Sequence, residues 1–416
     1  MRLFIFLIVF IMSTPSLTYC NDLNIKNVRL KNGASVFYLD QDSPGVAGII
    51  NIFLKNGSTL KFKNKTGLAS VSQNLLVKQL KKVAQKIGFN FKTWLGWDYL
   101  SVTIYIPESI SSTDLDEVIS IIFGGGKIQE KELEDTKKTM LQMMKSSIAR
   151  KYIDYPLASF MVHHSSIYSK GLIGGAEDIQ SVTAKEIEDF MSCYYTINNS
   201  IVSVSDKKYF KRLRRILSKL KPCFKDTEYS VEKFATVDLP RRIVRHVKSG
   251  RNYDAVRIGF LSNACDKKKN VVYDLVAQII VHDPELVAMA NYVYAENICY
   301  RGLGVFELNM SGPISRGNPD ISVTKALLRL SELGSNIEEL QVNNAKKELE
   351  KKYKKVLNDK EATLYALSKA LVLCEDKRCF SEYLYTMKKI RIEDVKRVLH
   401  DFSEERSIKL FIKMEQ

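Results

Sequence analysis

No Cys-x-x-Cys pair occurs in this chain, which removes both a cysteine zinc site and a dithiol redox motif of that spacing. Its seven cysteines are scattered instead: Cys20, then Cys193, Cys223, Cys265, Cys299, Cys374 and Cys379. That spread is not the dense framework of a small disulfide scaffold. Cys374 and Cys379 could bridge a turn at the end of a helix or stay as free thiols. Beyond the N-terminus no run reaches the roughly eighteen apolar residues that a membrane helix needs. Nothing resembles a nucleophile elbow, so serine hydrolase chemistry has no sequence support. Gly124-Gly125-Gly126-Lys127 lacks the spaced glycines and following Ser/Thr of a phosphate loop and reads as a helix-helix connection.

The chain opens with Arg2, an apolar run from Leu3 to Met12, and the segment Ser13 to Cys20. This pattern reads as a secretory leader over residues 1–20, and it predicts an exported protein, periplasmic or secreted. A lipoprotein would need Cys20 to become the acylated first residue, but bulky Tyr19 stands where a small residue is wanted. The formal net charge is +16, of which the leader contributes only Arg2. Such a balance favours acidic partners or contact with a membrane surface, and in an exported protein it argues against nucleic acid. The densest basic run, Lys346 to Lys355, is interleaved with Glu348 and Glu350 and reads as a solvated helix face.

Two stretches about 207 residues apart share one design. Ile49–Leu54 is an apolar strand pattern, as is Val256-Arg257-Ile258-Gly259-Phe260-Leu261, and both end in Phe-Leu. Each leads through a lysine-rich segment into a helix, expected over 67–80 and 271–281. Thr183 and Glu186 form a capping-box pattern that opens a helix before the strand Ile201–Val204. Ile392 to Leu399 followed by Ile408–Phe411 repeats that order. Strands are also expected at Val36–Leu39 and Ser101–Ile106, and helices at Thr113–Phe123, Glu130–Arg150 and Leu157–Tyr168. Without regular β-α-β alternation, the mixture predicts an α+β fold of two homologous domains with antiparallel sheet.

The stretch Gly67-Leu68-Ala69-Ser70-Val71-Ser72-Gln73-Asn74-Leu75-Leu76 resembles the zinc helix of the insulinase/pitrilysin metallopeptidases, G-L-A-H-x-x-E-H-x-L. The frame is present, but Ser70 and Asn74 stand at the two histidine positions and Gln73 at the general-base glutamate. Histidines four apart place both imidazoles on one zinc, and the glutamate beside them activates its water. Neutral hydroxyl and amide groups bind zinc weakly by comparison. Further family-like segments are Val28 to Val36, Gly174-Gly175-Ala176-Glu177-Asp178-Ile179 with Val182-Thr183, Asn198-Asn199, and Tyr300-Arg301-Gly302-Leu303-Gly304-Val305. The resemblance spans nearly all of the chain after the leader.

The resemblance implies an N-terminal peptidase-like domain over 21–225, a linker over 226–242, and a C-terminal peptidase-like domain over 243–416. Each domain would be an antiparallel or mixed sheet backed by helices. It also implies halves that close like a clamshell around an extended peptide. A third zinc ligand would be a glutamate 75 to 80 residues after the first histidine position, yet Met140 to Ile153 holds no acidic residue. The arginine and tyrosine that help polarise the scissile carbonyl fall on Ile298 and Val305, with Arg301 in the turn. The implied protein is a non-catalytic member with no catalytic residues, no metal and no cofactor. It would bind unfolded or extended peptides, or partner a zinc-containing homologous subunit or a second copy of itself. Two other readings stay open: a peptidase with an unconventional site, and a basic envelope scaffold or adhesin.

The remaining residues that carry chemistry have plainer expectations. His163 and His164 are adjacent on an expected helix, so their side chains diverge and do not share a metal easily. His282, beside Asp283 before Pro284, suits stabilisation of a helix C-terminus. Trp94 and Trp97 are expected in the core or a cavity wall.

Overall fold

The computed structural model describes residues 25–39, 48–58, 60, 62, 65–124, 127–145, 172–222, 242–248, 255–262, 265–301, 304–312 and 319–415. In the first half, β1 (Ile25–Arg29), β2 (Ser35–Leu39), β3 (Ile49–Leu54), β4 (Asn90–Leu95), β5 (Leu100–Tyr105) and β6 (Ser200–Val204) form one sheet. Its order is β1-β2-β6-β3-β5-β4. In the second half, β7 (Arg242–Lys248), β8 (Ala255–Ser262), β9 (Tyr292–Cys299), β10 (Gly304–Ser311) and β11 (Ser407–Glu415) form another, in the order β7-β11-β8-β10-β9. Apart from the added β1, the orders correspond strand for strand, and each sheet has one parallel pair, β2 with β6 and β7 with β11. The expected α+β architecture of two like halves is therefore the architecture observed.

Helices cover one face of each sheet. The first half carries α1 (Leu68–Ile87), α2 (Ser112–Gly124), α3 (Glu130–Lys145), α4 (Ala176–Ser181), α5 (Ala184–Tyr194) and α6 (Lys207–Leu217). Ile50, Ile52 and Leu54 of β3 pack with Leu68, Leu75 and Leu76 of α1 in its core. The second half carries α7 (Lys267–Val281), α8 (Pro284–Ala288), α9 (Pro319–Asn336), α10 (Glu339–Asn358), α11 (Lys360–Leu373), α12 (Arg378–Ser381), α13 (Tyr383–Lys389) and α14 (Ile392–Asp401). There Ile258, Phe260, Phe306 and Leu308 pack with Leu275, Leu330 and Leu399. The Thr183–Glu186 capping box forms as expected at α5.

Helix α11 belongs to the second half by sequence but lies on the opposite face of the first sheet. Leu367, Leu371 and Val372, with Phe380, pack against Phe37, Phe53, Tyr99 and Ile201. Polar contacts cross the same junction, among them the Ser203 and Ser368 hydroxyls at 2.7 Å and the Tyr99 and Tyr365 hydroxyls at 2.9 Å. Strand β3 is thus buried on both faces, which explains its continuous apolar run.

Several boundaries differ from the sequence expectation. Helix α1 runs past residue 80 to Ile87 because Val83, Ala84 and Ile87 continue its apolar stripe, and it ends where Gly88 takes φ 83°. Helix α7 starts at Lys267, before residue 271, because the Asp266 carboxylate accepts from the Lys268 and Lys269 N–H groups; those lysines form a first turn and not a loop. Arg242, assigned to the linker, opens β7. Helix α3 is described only to Lys145, and the helix expected at 157–168 lies outside the described residues, as do His163 and His164. Trp97 is buried, but Trp94 is 54% exposed on edge strand β4, so only one tryptophan is core. Cys265 and Cys299, which the sequence did not pair, form a disulfide with a Cα–Cα distance of 5.5 Å.

Candidate functional site

The motif helix is held at its N-terminus by the second family-like segment. Gly67 takes φ +84° and Gly174 φ +93°, and a Cβ built on Gly174 would stand 2.4 Å from the Gly67 Cα. Two distant sequence motifs thus need glycine for one reason: their backbones touch in conformations that disfavour side chains. Around this contact, the Thr66 N–H donates to Asp178 Oδ2 at 3.0 Å, the Gly175 N–H to Thr66 Oγ1 at 3.0 Å, and Lys65 Nζ pairs with Glu186 at 2.8 Å. Burial acts against ionisation of Glu186, but Lys65 and Thr183 outweigh it and hold its carboxyl below the usual range.

Ser70, Gln73 and Asn74 occupy i, i+3 and i+4 of α1 and so share one helix face. Ser70 is buried, and the other two are partly so. The Gln73 amide donates from Nε2 to Thr93 Oγ1 of β4 at 3.3 Å. Asn74 turns back on its own helix, its Nδ2 donating to the Ser70 carbonyl at 2.9 Å. Both amides thus act as N–H donors to nearby oxygens. A hydroxyl and two neutral amides, with the amides so engaged, are a poor donor set for zinc, which takes imidazole, thiolate or carboxylate. The residues present do not fit that ion. The stretch in which a downstream ligand would fall, 146–153, lies outside the described residues; no cluster of three or more His, Cys, Asp or Glu suited to a metal occurs among those described.

Next to this face runs β4, the outer strand of its sheet, paired only with β5 among the described residues. Thr93 faces the motif helix, while Lys92 and Trp94 lie on the other face, exposed. Lys92 pairs with Glu361 at 2.9 Å and stands 5.1 Å from the centre of the Tyr105 ring. Behind α1, Ser72 and Asn56 face the buried Tyr195 hydroxyl, and burial raises the ionisation point of that phenol.

The resemblance sets its second-half arginine and tyrosine positions at Ile298 and Val305. Ile298 and Val305 stand directly opposite each other across β9 and β10. Arg301 donates its backbone N–H to Asp98 Oδ2 at 3.0 Å and pairs its guanidinium with Glu375 at 2.7 Å. It ties the two halves together. His282 Nδ1 lies 2.8 Å from the Gln278 carbonyl, as suits a residue at the end of α7.

A cleft of about 1060 Å³ opens in the second half. Lys267, Lys268, Lys389, Arg391 and Arg397 line it with Asp266, Glu393 and Asp394. None of its lining residues comes from the motif helix. The Asp98–Arg301 tie and this cleft were both missed from sequence; neither has a local pattern.

The chain matches no family model. It is similar to the zinc protease PqqE of Helicobacter pylori (strain ATCC 700392 / 26695), 23% identical over an alignment 429 residues long, gaps included, which takes in 93% of this chain and 92% of the relative. Among solved structures, it superposes on a protease from Helicobacter pylori with a TM-score of 0.77 at 20% identity, covering 94% of this chain and 99% of that one. It also superposes on a peptidase M16 inactive domain from Pseudomonas fluorescens with a TM-score of 0.77 at 13% identity, covering 95% and 98%. The structural likenesses are likenesses of fold.

Proposed function

Since the chain is of the insulinase/pitrilysin type in sequence frame and in fold, we propose that it is a non-catalytic member that binds extended polypeptide along β4. The observation that carries this reading is the Gln73 amide bonded to Thr93 of the open strand, where the family places its base beside its metal. An amide cannot take a proton from water as a carboxylate does, and Ser70 and Asn74 offer no charge to a cation. The strand beside them keeps what recognition needs without chemistry: a row of backbone N–H and C=O groups unpaired among the described residues, to which an extended peptide can add as another strand. We place the protein in an exported compartment on the strength of its leader, and we propose that it works beside a zinc-bearing homologue that supplies the missing chemistry.

The test uses the full mature chain with an unfolded probe, reduced and carboxymethylated α-lactalbumin. Saturable binding is expected, with a change in Trp94 emission and no new fragments by mass spectrometry. Thr93→Pro, which distorts the strand, should weaken binding at least ~10-fold while the far-ultraviolet circular dichroism is kept. Chelator-sensitive cleavage would overturn the non-catalytic reading, and absence of binding would remove the polypeptide one. The basic cleft of the second half favours a second reading, attachment to an anionic surface. Salt-dependent binding to anionic vesicles with no peptide binding would select it.

A further inference from the structure

Cys374 closes α11 and Cys379 lies in α12, so the two thiols flank one short turn, Cys374-Glu375-Asp376-Lys377-Arg378-Cys379. The two thiols interact across it, and both residues are half-buried. The backbone between them is unusual. Glu375 takes φ 55°, the one non-glycine residue in the left-handed region among those described. Such a conformation persists only where the surroundings hold it.

What holds it is the junction between the halves. The Glu375 carboxylate pairs with Arg301 at 2.7 Å and with Lys55 at 3.4 Å. Lys55 directly follows β3 of the first half, and Arg301 sits in the turn after β9 of the second. Arg301 in turn donates its N–H to Asp98, in the turn between β4 and β5. The turn between the cysteines therefore closes a chain of contacts, Lys55 to Glu375 to Arg301 to Asp98, that joins the two halves beside the open strand. Phe380, the residue after Cys379, packs in the same junction with Leu367 and Leu371.

We propose that Cys374 and Cys379 are a reversible disulfide pair, and that its oxidation locks the Glu375 turn and so fastens the contact between the halves. The oxidant is a disulfide, from a thiol oxidase or oxidised glutathione. The Cys379 thiolate attacks one of its sulfurs and releases one thiolate. Cys374, deprotonated, then attacks the Cys379 sulfur and expels the second. Two electrons pass to the oxidant, which leaves as two thiols carrying the two protons lost by the cysteines. The order of attack follows from the pair itself: the interaction of the two thiols lowers the ionisation point of Cys379 and raises that of Cys374. Cys265–Cys299 is a separate disulfide, and Cys193 is free and buried. The proposal stands independently of peptide binding.

The experiment equilibrates the full mature chain in glutathione buffers of stepped redox ratio, blocks free thiols by alkylation, and maps them by mass spectrometry after trypsin digestion. Lys377 and Arg378 lie between the cysteines, so a Cys374–Cys379 bond appears as two peptides joined by that bond. The expected result is a two-electron transition in which both cysteines become protected together. The oxidised form should melt about 2 °C or more above the form in which only this bond is reduced. Cys374→Ser/Cys379→Ser should remove that component and leave the part due to Cys265–Cys299. Both cysteines remaining alkylated in oxidised glutathione would overturn the site, as would joined peptides that pair either with another cysteine. A bond that forms with no change in melting would overturn the lock. The mapping needs only the wild-type chain, so it decides the site even if the double variant does not fold.

Discussion

Asp98 and Arg301 lie 203 residues apart in sequence, and the Asp98 carboxylate accepts the Arg301 N–H at 3.0 Å. Each sits in the turn of an edge hairpin, β4–β5 in one half and β9–β10 in the other. The two turns that correspond in the repeated design therefore meet. Asp98 is 2% exposed, so its carboxylate depends on such donors. Asp98→Ala should leave the Arg301 N–H short of a partner and lower stability by about 1–3 kcal/mol. Urea unfolding of the variant against wild type measures this. A loss of only a few tenths would show that the tie is not structural.

Gly174→Ala should be more damaging than an ordinary loop substitution. The new Cβ would press on the Gly67 Cα at 2.4 Å, in a backbone already at φ +93°. Strain and displacement together should cost about 2 kcal/mol or more. Gly67→Ala disturbs the same contact, so the pair should be clearly non-additive in a thermal double-mutant cycle. Simple additivity would mean that the two glycines serve separate purposes.

Zinc should neither bind stoichiometrically nor stabilise. Addition of zinc and addition of a chelator should leave the melting midpoint unchanged, and elemental analysis after dialysis should find well under one zinc per chain. Ser70→His, Gln73→Glu and Asn74→His together should give weak binding without efficient hydrolysis, because a third acidic ligand is still lacking from Met140 to Ile153. One zinc per chain in the tag-free wild type would refute the reading of this helix.

Asp274 should make stability fall as pH rises. Burial pushes its carboxyl up to about 6, against the Tyr383 hydroxyl that donates at 2.7 Å and the nearby Lys369 and Lys352. Below about pH 4 the group is protonated in folded and unfolded chains alike and costs nothing. Between about 4 and 6 the unfolded chain ionises first, so folding is progressively penalised, by about 3 kcal/mol at most; above 6 the penalty is constant. Asp274→Asn should remove this slope. Urea unfolding of both proteins from acid to neutral pH gives the difference, and parallel curves would reject the assignment.

The repeated order of strand, basic segment and helix was enough to indicate two like α+β halves, because apolar periodicity and capping residues such as Thr183 act over a few residues. The altered chemistry was equally legible: Ser70, Gln73 and Asn74 carry neutral groups in any fold. The 3.3 Å bond from Gln73 to Thr93 was not, since β4 lacked a clear alternating pattern until its pairing with β5 defined it. Nor could sequence place α11 on the far face of the first sheet, bring Asp98 to Arg301, or pair Cys265 with Cys299. Those contacts join residues far apart along the chain. Local propensity is silent about them, and only the packing of one half against the other selects which distant groups meet.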